Sequence, residues 1–238
     1  MIKDLYKKPT NPMRVLVACE ESQRVCLAFR ERGHQAYSCD IQDCSGGHPE
    51  WHINRDVCDL LRPDYTYSVE MSAYVDFCYN FQTQDGQHHT LFGKWDLIIA
   101  HPPCTYLSNA GARHLYKGKL LNIERYNKGL EGKLLFMKLL NADCERICIE
   151  NPIPSSVYGL PKYTQIIQPY EYGHPYQKRT CLWLKGLPNL QPTNILPKDQ
   201  RQSTRVSGNW FNKGGSDRQV NRAKTFEGIA KAMSEQWG

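Results

Sequence analysis

The sequence predicts an α/β protein whose core is a mostly parallel, Rossmann-like sheet. Residues 13–18 and 35–40 have the apolar character of strands, and residues 22–33 between them have helical periodicity. This βαβ order opens many nucleotide-binding folds. Two further runs, Leu97–Ala100 and Ile147–Ile149, are apolar throughout, as are strands that are buried on both faces of a parallel sheet.

Capping residues and apolar periodicity define the predicted helices. Ser22 is the expected N-cap of the first helix, and Gly33 ends it. Residues 125–140 form the second helix, whose apolar face is predicted to consist of Leu130, Leu134, Leu135, Met137, Leu139 and Leu140. Residues 224–237 repeat apolar side chains at helical spacing and form the last helix. The remaining strands are expected at residues 163–170 and 180–184.

Residues 62–93 interrupt this core pattern with an insertion. Apolar and polar residues alternate over residues 74–81, and residues 89–92 form a second strand-like run. Asp85 and Gly86 lie between the two runs, where an Asp-Gly pair is typical of a hairpin turn. The sequence therefore predicts an inserted β-hairpin close to the apolar strand that follows it.

Length and composition indicate a single globular domain over residues 13–238, preceded by a flexible N-terminus at residues 1–12. The chain has 238 residues, of which 40% are hydrophobic and 23% are charged, values that are ordinary for a soluble protein. No apolar stretch approaches the roughly 18 residues of a membrane span, and no signal peptide is visible. The ten cysteines are scattered along the chain. We therefore expect reduced thiols in a cytoplasmic protein that has no membrane partner.

The net charge of +6 is concentrated in residues 162–222. This basic segment has ten lysines and arginines against three acids, and the aromatic residues Trp210 and Phe211 lie among them. Many nucleic-acid-binding proteins use such a segment to bind a polyanion, but a merely solvated face has the same composition. Both interpretations stay open at this point.

Cys104 is the candidate nucleophile of the chain. It follows the apolar strand at Leu97–Ala100 after Pro102 and Pro103, which stop the strand because proline fixes φ and cannot donate to the ladder. A thiol at this place lies just beyond the carboxyl end of a strand, where open α/β sheets bind their ligands. The alternative is a small buried cysteine, since that is the commoner fate of this residue type.

Two later motifs complete a three-part order. Glu150 and Asn151 follow the second apolar run, and Gln177-Lys178-Arg179 precedes a third one. The order Pro-Pro-Cys, Glu-Asn and Gln-x-Arg resembles the cytosine-5 DNA methyltransferases, in the short version found in phages and prophages, from about residue 14 to residue 238. The resemblance implies the S-adenosylmethionine-dependent methyltransferase fold. It also implies DNA, duplex or single-stranded, as the partner, and the cytoplasm of a bacterium or a phage-infected cell as the location.

The resemblance further implies a chemistry with Cys104, Glu150 and Arg179 as catalytic residues. The thiolate of Cys104 would add to carbon 6 of cytosine and make carbon 5 enamine-like, so that carbon 5 takes the methyl group of S-adenosylmethionine. Glu150 would hydrogen-bond the protonated ring nitrogen 3, and Arg179 would contact the base or a neighbouring phosphate. Loss of the carbon 5 proton would expel Cys104. The expected substrate-binding residues are Pro103, Ser108, Asn151, Gln177 and Lys178.

By the same resemblance, the cofactor S-adenosylmethionine is expected near the ends of the first two strands. Asp40 matches the position that binds the ribose, where an acid accepts hydrogen bonds from two hydroxyls. Asp56 matches the position near the adenine amino group. The complete set of expected cofactor-binding residues is Ala18, Cys19, Glu20, Ser22, Asp40, Ile41, Asp56, Val57, His101, Pro102 and Thr225.

The chain departs from the family pattern at three places. The loop at residues 18–22 has none of the family's usual glycines, and Cys181 stands where longer relatives usually have a second arginine. The segment after Leu184 is too short for the family's long target-recognition region. We therefore expect a short or relaxed sequence preference, or a partner protein that supplies sequence recognition.

Several alternatives remain open from the sequence. The same chemistry could act on RNA or on a free cytosine nucleotide, and the chain could be an inactive DNA-binding relative. An unrelated cysteine hydrolase would use His101, His114 or His174 as its base, although no acid–histidine spacing supports it. The last alternative is a zinc site formed by Cys39, Cys44, His48, His52 and Cys58. Their spacing is not that of a standard zinc finger, so we expect no metal.

Overall fold

The computed structural model of the chain describes residues 11–68, 73–203 and 224–238. The expected flexible N-terminus falls largely outside these ranges. Trp210 and Phe211 of the basic segment also lie outside them, as do four of its cations, Arg205, Lys213, Arg218 and Arg222.

The described ranges contain fourteen strands and four α-helices. The strands are β1 (Arg14–Ala18), β2 (Gln35–Asp40), β3 (His52–Asn54), β4 (Asp64–Ser68), β5 (Ala73–Gln82), β6 (His88–Phe92), β7 (Leu97–Ala100), β8 (Tyr116–Lys117), β9 (Leu120–Leu121), β10 (Ile147–Pro152), β11 (Gln165–Ile167), β12 (Tyr176–Gln177), β13 (Thr180–Lys185) and β14 (Gln202–Ser203). The helices are α1 (Arg24–Glu31), α2 (Asn109–Ala112), α3 (Ile123–Leu140) and α4 (Glu227–Trp237). Among the helices of the described ranges, none combines the length and the apolar composition needed to cross a membrane.

Seven strands form one sheet in the order β11-β13-β10-β7-β1-β2-β3. β1 pairs in parallel with β2 and β7, and parallel pairing continues from β2 to β3 and from β7 to β10. Within this sheet, β13 runs antiparallel to its neighbours β10 and β11. The chain order reverses between β1 and β7, which makes this boundary the switch point where open α/β sheets bind ligands. The predicted mostly parallel α/β sheet is confirmed, and it is compatible with a Rossmann-like fold.

Helices cover both faces of the sheet because side chains along β1 alternate between two buried clusters. Leu16 belongs to one cluster, together with Phe136 of α3. Val15 belongs to the other, together with Phe29 of α1 and Met233 of α4. A strand that is covered on both faces needs apolar residues at successive positions, which is the pattern that predicts β1 and β7 from the sequence.

The predicted N-cap of α1 is wrong. The N-cap is Gln23, whose backbone is left-handed with φ of 58°, and its side chain does not cap the helix. The carboxylate of Glu20 accepts the hydrogen bonds of the first helical amides instead, from Val25 and Cys26. Ser22 lies one residue before the N-cap position, because the helix begins only at Arg24.

The apolar face predicted for α3 is only partly right. Leu130 and Leu134 are 38% and 63% exposed, whereas Gly129, Phe136 and Leu139 are buried. Apolar residues occupy most positions in the second half of this helix, so periodicity alone does not show which side faces the sheet. The aromatic ring of Phe136 is fully buried and packs against Trp183 of β13, with the ring centres 5.0 Å apart.

The insertion is a three-stranded antiparallel sheet in the order β4-β5-β6. The predicted hairpin is confirmed as β5 and β6, with Gly86 at φ of 92° in the turn. β4 is an additional strand that the sequence analysis does not anticipate. The strand expected at residues 163–170 is shorter, because β11 ends at Ile167 and a 3-10 helix begins at Pro169.

Candidate active site

The carboxyl ends of β1, β7 and β10 meet at one edge of the sheet. Ala18 pairs with Ala100, and Ala100 pairs with Ile149, so β1 and β7 end level with Ile149, while β10 continues to Pro152. The amide of His101 continues this pairing and donates to the carbonyl of Ala18 over 2.9 Å. The residues that follow these strands therefore lie next to each other at the switch point of the sheet, although they come from three separate parts of the chain.

The turn that carries Cys104 is fixed on both sides. The amide of Ser108 donates to the carbonyl of Cys104 over 3.0 Å, and Nδ2 of Asn151 donates to the carbonyl of Pro102 over 2.9 Å. Asn151 and Pro102 are buried, Cys104 is half-buried and Pro103 is exposed. The structure thus places the predicted nucleophile on a rigid turn at the edge of the sheet, partly open to solvent.

His101 and Glu150 form a buried ion pair beside this turn. Their side chains are 8% and 12% exposed, and Nδ1 of His101 lies 3.0 Å from Oε2 of Glu150. Burial alone would raise the pKa of Glu150, but the hydrogen bond with His101, the charge of Lys178 and the hydroxyl of Thr180 lower it overall. Burial alone would lower the pKa of His101, but the hydrogen bond and charge of Glu150 and the charge of Glu20 raise it overall. Both shifts favour the charged forms of the pair.

Glu20 occupies the N-terminus of α1. Its Oε1 accepts from the amide of Val25 over 2.7 Å and its Oε2 from the amide of Cys26 over 3.2 Å. Burial raises the pKa of Glu20, while the charge of His101 and the two amides oppose that rise. A helix N-terminus attracts anions, and here the chain supplies its own carboxylate. An external phosphate would therefore meet a helix end that is already filled.

Asp40 and Asp56 lie close to Cys19, the first residue after β1. Burial raises the pKa of the Cys19 thiol to about 12, and the charges of Asp40 and Asp56 contribute to the rise. Asp40 ends β2, and its Oδ1 accepts from the amide of Gln42 over 3.0 Å. Asp56 is exposed, and its Oδ1 accepts from the amide of Cys58 over 2.9 Å. The two acids that stand out in the sequence are thus brought to the same side of the β1 loop.

The other expected cofactor residues differ in their exposure. Ser22 and Val57 are buried, at 8% and 4% exposed. Thr225, just before α4, is 7% exposed, and its carbonyl accepts from the side chain of Arg24 at the start of α1. Ile41 is 75% exposed, so its side chain lies on the surface of this edge.

Gln177 to Arg179 reach the same edge because β13 is antiparallel. Thr180, the first residue of β13, pairs with Pro152, the last residue of β10. A residue at the start of β13 therefore lies beside residues at the end of β10. This pairing brings the third motif of the sequence next to Glu150, which the chain order alone does not require.

Lys178 is the member of this motif that faces Glu150. Its charge lowers the pKa of Glu150, and its Nζ lies 5.9 Å from the ring centre of Phe226, before α4. Gln177 and Arg179 are exposed. The structure therefore groups Lys178 with the buried pair and leaves Arg179 at the surface.

Ser108, an expected substrate-binding residue, is 6% exposed and is the N-cap of the short helix α2. Its Oγ accepts from the amide of Gly111 over 3.2 Å. A backbone bridge between Ser108 and Pro154 joins this segment to the chain after β10. These contacts position the segment that follows Cys104.

The histidines named for a hydrolase have other partners. Nε2 of His174 accepts from the amide of Gly228 over 2.9 Å, and Nε2 of His114 lies 2.8 Å from Nε of Arg113. His101 is paired with Glu150. These contacts give no support to a Cys–His hydrolase.

The Cys- and His-containing loop after β2 has its own hydrogen bonds. Nδ1 of His52 lies 2.9 Å from Oγ of Ser38, and its Nε2 lies 2.9 Å from the carbonyl of Gln42. The Cys39 thiol donates to the carbonyl of Arg55. Within the described ranges, no group of three or more acid, cysteine or histidine side chains is arranged to hold a metal ion.

Gln23 is a residue of this site that the sequence analysis missed. Its side chain is fully buried, donates to the carbonyl of His48 over 2.8 Å and accepts from the amide of His48 over 3.0 Å. It thereby fixes the loop after β2 against the loop after β1. Gly46 permits this approach, because a Cβ there would lie 2.6 Å from Cβ of Gln23. A single glutamine before a helix has no sequence pattern that would have revealed this role.

When compared with known proteins, the chain matches no protein-family model, and no curated protein matches it significantly.

Proposed function

We propose that the chain is an S-adenosylmethionine-dependent methyltransferase that methylates carbon 5 of cytosine in DNA. One observation carries the proposal: Cys104, in the turn after β7, and Glu150, which follows the residue paired with the last residue of β7, come to the same edge of the sheet although they are far apart in the sequence. The mechanism needs this arrangement, because one group must attack the base while the other hydrogen-bonds its ring nitrogen.

The sheet topology supports the proposal. Counted along the chain, the six parallel strands of the large sheet have the doubly wound order 3-2-1-4-5-6, with β13 inserted antiparallel between the fifth and the sixth. In such sheets the ligands bind beyond the carboxyl ends at the switch point. Cys104, Glu150, Asp40 and Glu20 all lie at that edge.

The chemistry of the β1 and β2 loops fits S-adenosylmethionine better than a dinucleotide. Glu20 fills the N-terminus of α1, which takes the pyrophosphate in dinucleotide-binding folds. S-adenosylmethionine has no phosphate, and its sulfur is positively charged, so an acidic loop is compatible with it. Asp40 and Asp56 offer carboxylates that accept hydrogen bonds from ribose hydroxyls and an adenine amino group. When bound, S-adenosylmethionine supplies an electrophilic methyl group.

Side chains of this edge would hold the cofactor and the base as follows. Asp40 binds the ribose, Asp56 lies near the adenine, and the loop from Cys19 to Ser22 lies between them. Cys104 forms a bond from its sulfur to carbon 6 of cytosine, and Glu150 hydrogen-bonds nitrogen 3 as that nitrogen becomes protonated.

The surrounding residues keep these groups in position. Asn151 holds the Cys104 turn through the carbonyl of Pro102, and the Ser108 amide holds it from the other side. Lys178, beside the His101–Glu150 pair, and Arg179, at the surface, provide cations for contact with the base or a phosphate. Lys178 is a point charge, whereas Arg179 has the planar fork that suits a phosphate.

Cations near the edge favour DNA as the substrate. Lys178, Arg179 and Arg201 lie in the described part of the basic segment, and Arg201 stacks on the ring of Tyr170 at 3.9 Å. Cations that contact phosphates give affinity that falls with salt but carries no sequence information. Because the target base must leave the stack, single-stranded or mismatched DNA should be methylated at least as fast as duplex DNA.

The experiment offers labelled S-adenosylmethionine with duplex DNA, single-stranded DNA, RNA and dCMP in parallel. We expect label in DNA, and we expect the label to disappear with Cys104→Ala. Cys144→Ser is the matched control, because this buried cysteine lies at the opposite edge, before the start of β10. DNA that contains 5-fluorocytosine should become covalently attached through Cys104, because fluorine at carbon 5 blocks elimination.

Several results would contradict the proposal. Label found only in dCMP or RNA would show that DNA is not the substrate, although the methyl-transfer chemistry would be the same. Attachment through another cysteine, or full activity of Cys104→Ala, would show that Cys104 is not the nucleophile. If the unmodified protein also fails to bind S-adenosylmethionine in calorimetry, the inactive DNA-binding alternative would be favoured.

A further inference from the structure

His101 lies between two carboxylates at the centre of the switch point. Its Nδ1 is 3.0 Å from Oε2 of Glu150, at the end of the neighbouring strand β10. The second carboxylate is Glu20, after β1, whose charge also acts on His101. Glu20 is held by two amides of α1 and has no freedom to move toward a ligand. His101 therefore has a hydrogen bond with Glu150 and an electrostatic attraction to Glu20.

The other ring nitrogen of His101 is the unusual feature of this arrangement. Nε2 is buried and has no hydrogen-bond partner among the described residues. A buried polar atom that lacks a partner costs free energy, so it calls for an explanation in a site. The free-energy cost of the unpartnered Nε2 is explained if the function of the ring is to hold the proton on Nδ1.

The charged groups around the ring favour that proton. Glu150 faces His101 from β10, Glu20 faces it from the loop after β1, and Lys178 approaches from the segment before β13. Two negative charges against one positive charge outweigh the burial of the ring, and the pKa of His101 is raised. The imidazolium form is therefore the form that this environment favours.

We propose that His101 is the proton reservoir of Glu150: it lends a proton across the Nδ1–Oε2 hydrogen bond when Glu150 protonates nitrogen 3 of the cytosine. This inference rests on the proposed function and deepens it. His101 acts through Glu150 and is a positioning residue, because only Glu150 touches the base.

The protons and electrons balance within the reaction. As the thiolate sulfur of Cys104 bonds to carbon 6, the electrons of the carbon 5–carbon 6 double bond form a carbon 4–carbon 5 double bond, and the former carbon 4–nitrogen 3 π pair binds a proton at nitrogen 3. That proton is the Nδ1 proton of His101, which passes through the carboxylate of Glu150 and leaves His101 neutral. Carbon 5 then bonds the methyl group with the carbon 4–carbon 5 pair, the lone pair of nitrogen 3 restores the carbon 4–nitrogen 3 double bond, and the pair of the broken sulfur–methyl bond stays on the cofactor sulfur. At elimination the carbon 5 proton leaves to water, its electron pair restores the carbon 5–carbon 6 double bond, and the sulfur departs with the pair of its bond to carbon 6. Nitrogen 3 then gives its proton back through Glu150 to His101.

A purely structural role predicts different behaviour. If His101 only holds the residue after β7 against β10, a hydrogen-bond donor beside Glu150 is sufficient. An asparagine at position 101 provides such a donor but cannot change its protonation state. His101→Asn thus separates the two roles, and His101→Gln provides the same test with a longer side chain if the first variant fails to fold.

The experiment measures the rate of covalent attachment to 5-fluorocytosine DNA between about pH 5.5 and 9.5, a range that spans a histidine pKa raised above its ordinary value. For the unmodified protein we expect attachment to slow above the pKa of His101. His101→Asn should lower the rate by about 100-fold, the usual scale of a lost acid–base group, and should remove this slowing from the profile. His88→Asn, on the exposed strand β6, is the control and should match the unmodified protein.

Nuclear magnetic resonance of the imidazole nitrogens gives a second measurement that needs no substrate. The pKa of His101 should fall when Glu150→Gln removes the partner charge. An unchanged His101 titration in Glu150→Gln, or an unchanged rate and pH profile in His101→Asn, would overturn this inference but not the proposed function. Absence of any attachment by the unmodified protein would overturn the proposed function, and the inference with it.

Discussion

Asn151 donates a hydrogen bond from Nδ2 to the carbonyl oxygen of Pro102, over 2.9 Å, and so ties the end of β10 to the turn after β7. Both residues are buried. This bond connects the acid-bearing strand to the cysteine-bearing turn, because Glu150 precedes Asn151 and Cys104 follows Pro102.

Asn151→Ala should lower both the stability and the rate. The Pro102 carbonyl would lose its partner, and an unsatisfied buried polar group costs about 1–3 kcal/mol. Chemical denaturation measures the free energy of unfolding, and attachment to 5-fluorocytosine DNA measures the rate. Asn189→Ala, at an exposed position, is the control and should change the stability by less than about 0.5 kcal/mol. Equal stabilities of the two variants would show that the bond does not hold the turn.

Asp40→Ala should weaken the binding of S-adenosylmethionine. If Asp40 accepts hydrogen bonds from the ribose, its removal costs about 1–3 kcal/mol of binding free energy. Isothermal titration calorimetry measures this change directly. The control is Asp43→Asn, on the exposed loop three positions later, where we expect unchanged affinity. Identical affinities for Asp40→Ala and the unmodified protein would remove Asp40 from the cofactor site.

Two glycines of α3 should respond in opposite directions to alanine. A Cβ added at Gly132 would lie 3.4 Å from Leu107, an ordinary contact, so Gly132→Ala should stabilise the helix by about 0.5–1 kcal/mol. At Gly129, a Cβ would collide with the buried ring of Tyr158, so Gly129→Ala should destabilise the protein by about 1–3 kcal/mol. Thermal and chemical denaturation measure both effects. Stabilisation by both substitutions would show that Tyr158 moves away without cost.

Asp96→Asn should destabilise the protein in a pH-dependent way. Burial alone would raise the pKa of Asp96, but two hydrogen bonds and the charge of Arg14 lower it overall. A lowered pKa stabilises the folded state above the unfolded pKa of about 3.9, and this contribution is lost as the pH falls through the folded value. We therefore expect a loss of about 1–2 kcal/mol at pH 7, because the pair is partly exposed.

The control for this prediction is Asp143→Asn. Asp143 pairs with Lys94 on the surface, with side chains 55% and 42% exposed, so its loss should cost less than about 0.5 kcal/mol. The deficit of Asp96→Asn relative to the unmodified protein should begin to shrink below about pH 4, where the carboxyl of the unfolded chain becomes protonated, and should vanish once the pH has fallen through the lowered native pKa. A deficit that stays constant down to about pH 3 would contradict the assignment.

Local sequence patterns predict the central strands of the large sheet and the hairpin of the insertion, whereas the short strands β3, β8, β9, β12 and β14, like β4, are not predicted. Leu97–Ala100 is an uninterrupted apolar run that two prolines stop, and the strand β7 has the same bounds. Both features act within a few residues, so they can be read without knowledge of the partners. The hairpin of the insertion is predicted for the same reason, since its Asp-Gly turn determines the pairing of the flanking strands.

Contacts between distant parts of the chain are the part that the sequence cannot predict. His101 and Glu150 meet because β7 and β10 are neighbours in the sheet, and no local pattern determines which strands become neighbours. The resemblance places His101 among the expected cofactor-binding residues, and its contact with Glu150 is an addition that the sequence does not reveal. The cap of α1 is missed because Glu20 reaches past a left-handed residue to Val25, which the usual capping pattern does not include.

The antiparallel direction of β13 determines which residues at the ligand edge of the sheet can be replaced. The segment before β13 reaches the ligand edge at the start of a strand. Its length and sequence are therefore not constrained by the helical crossover that a parallel strand would need. The register of β13 is determined by its pairs with β10 and β11, from Thr180 onward. The exposed residues Gln177 and Arg179 can therefore be substituted without a shift of the core strands. These two positions are where a different substrate preference can be introduced with the least disturbance to the turn that carries Cys104.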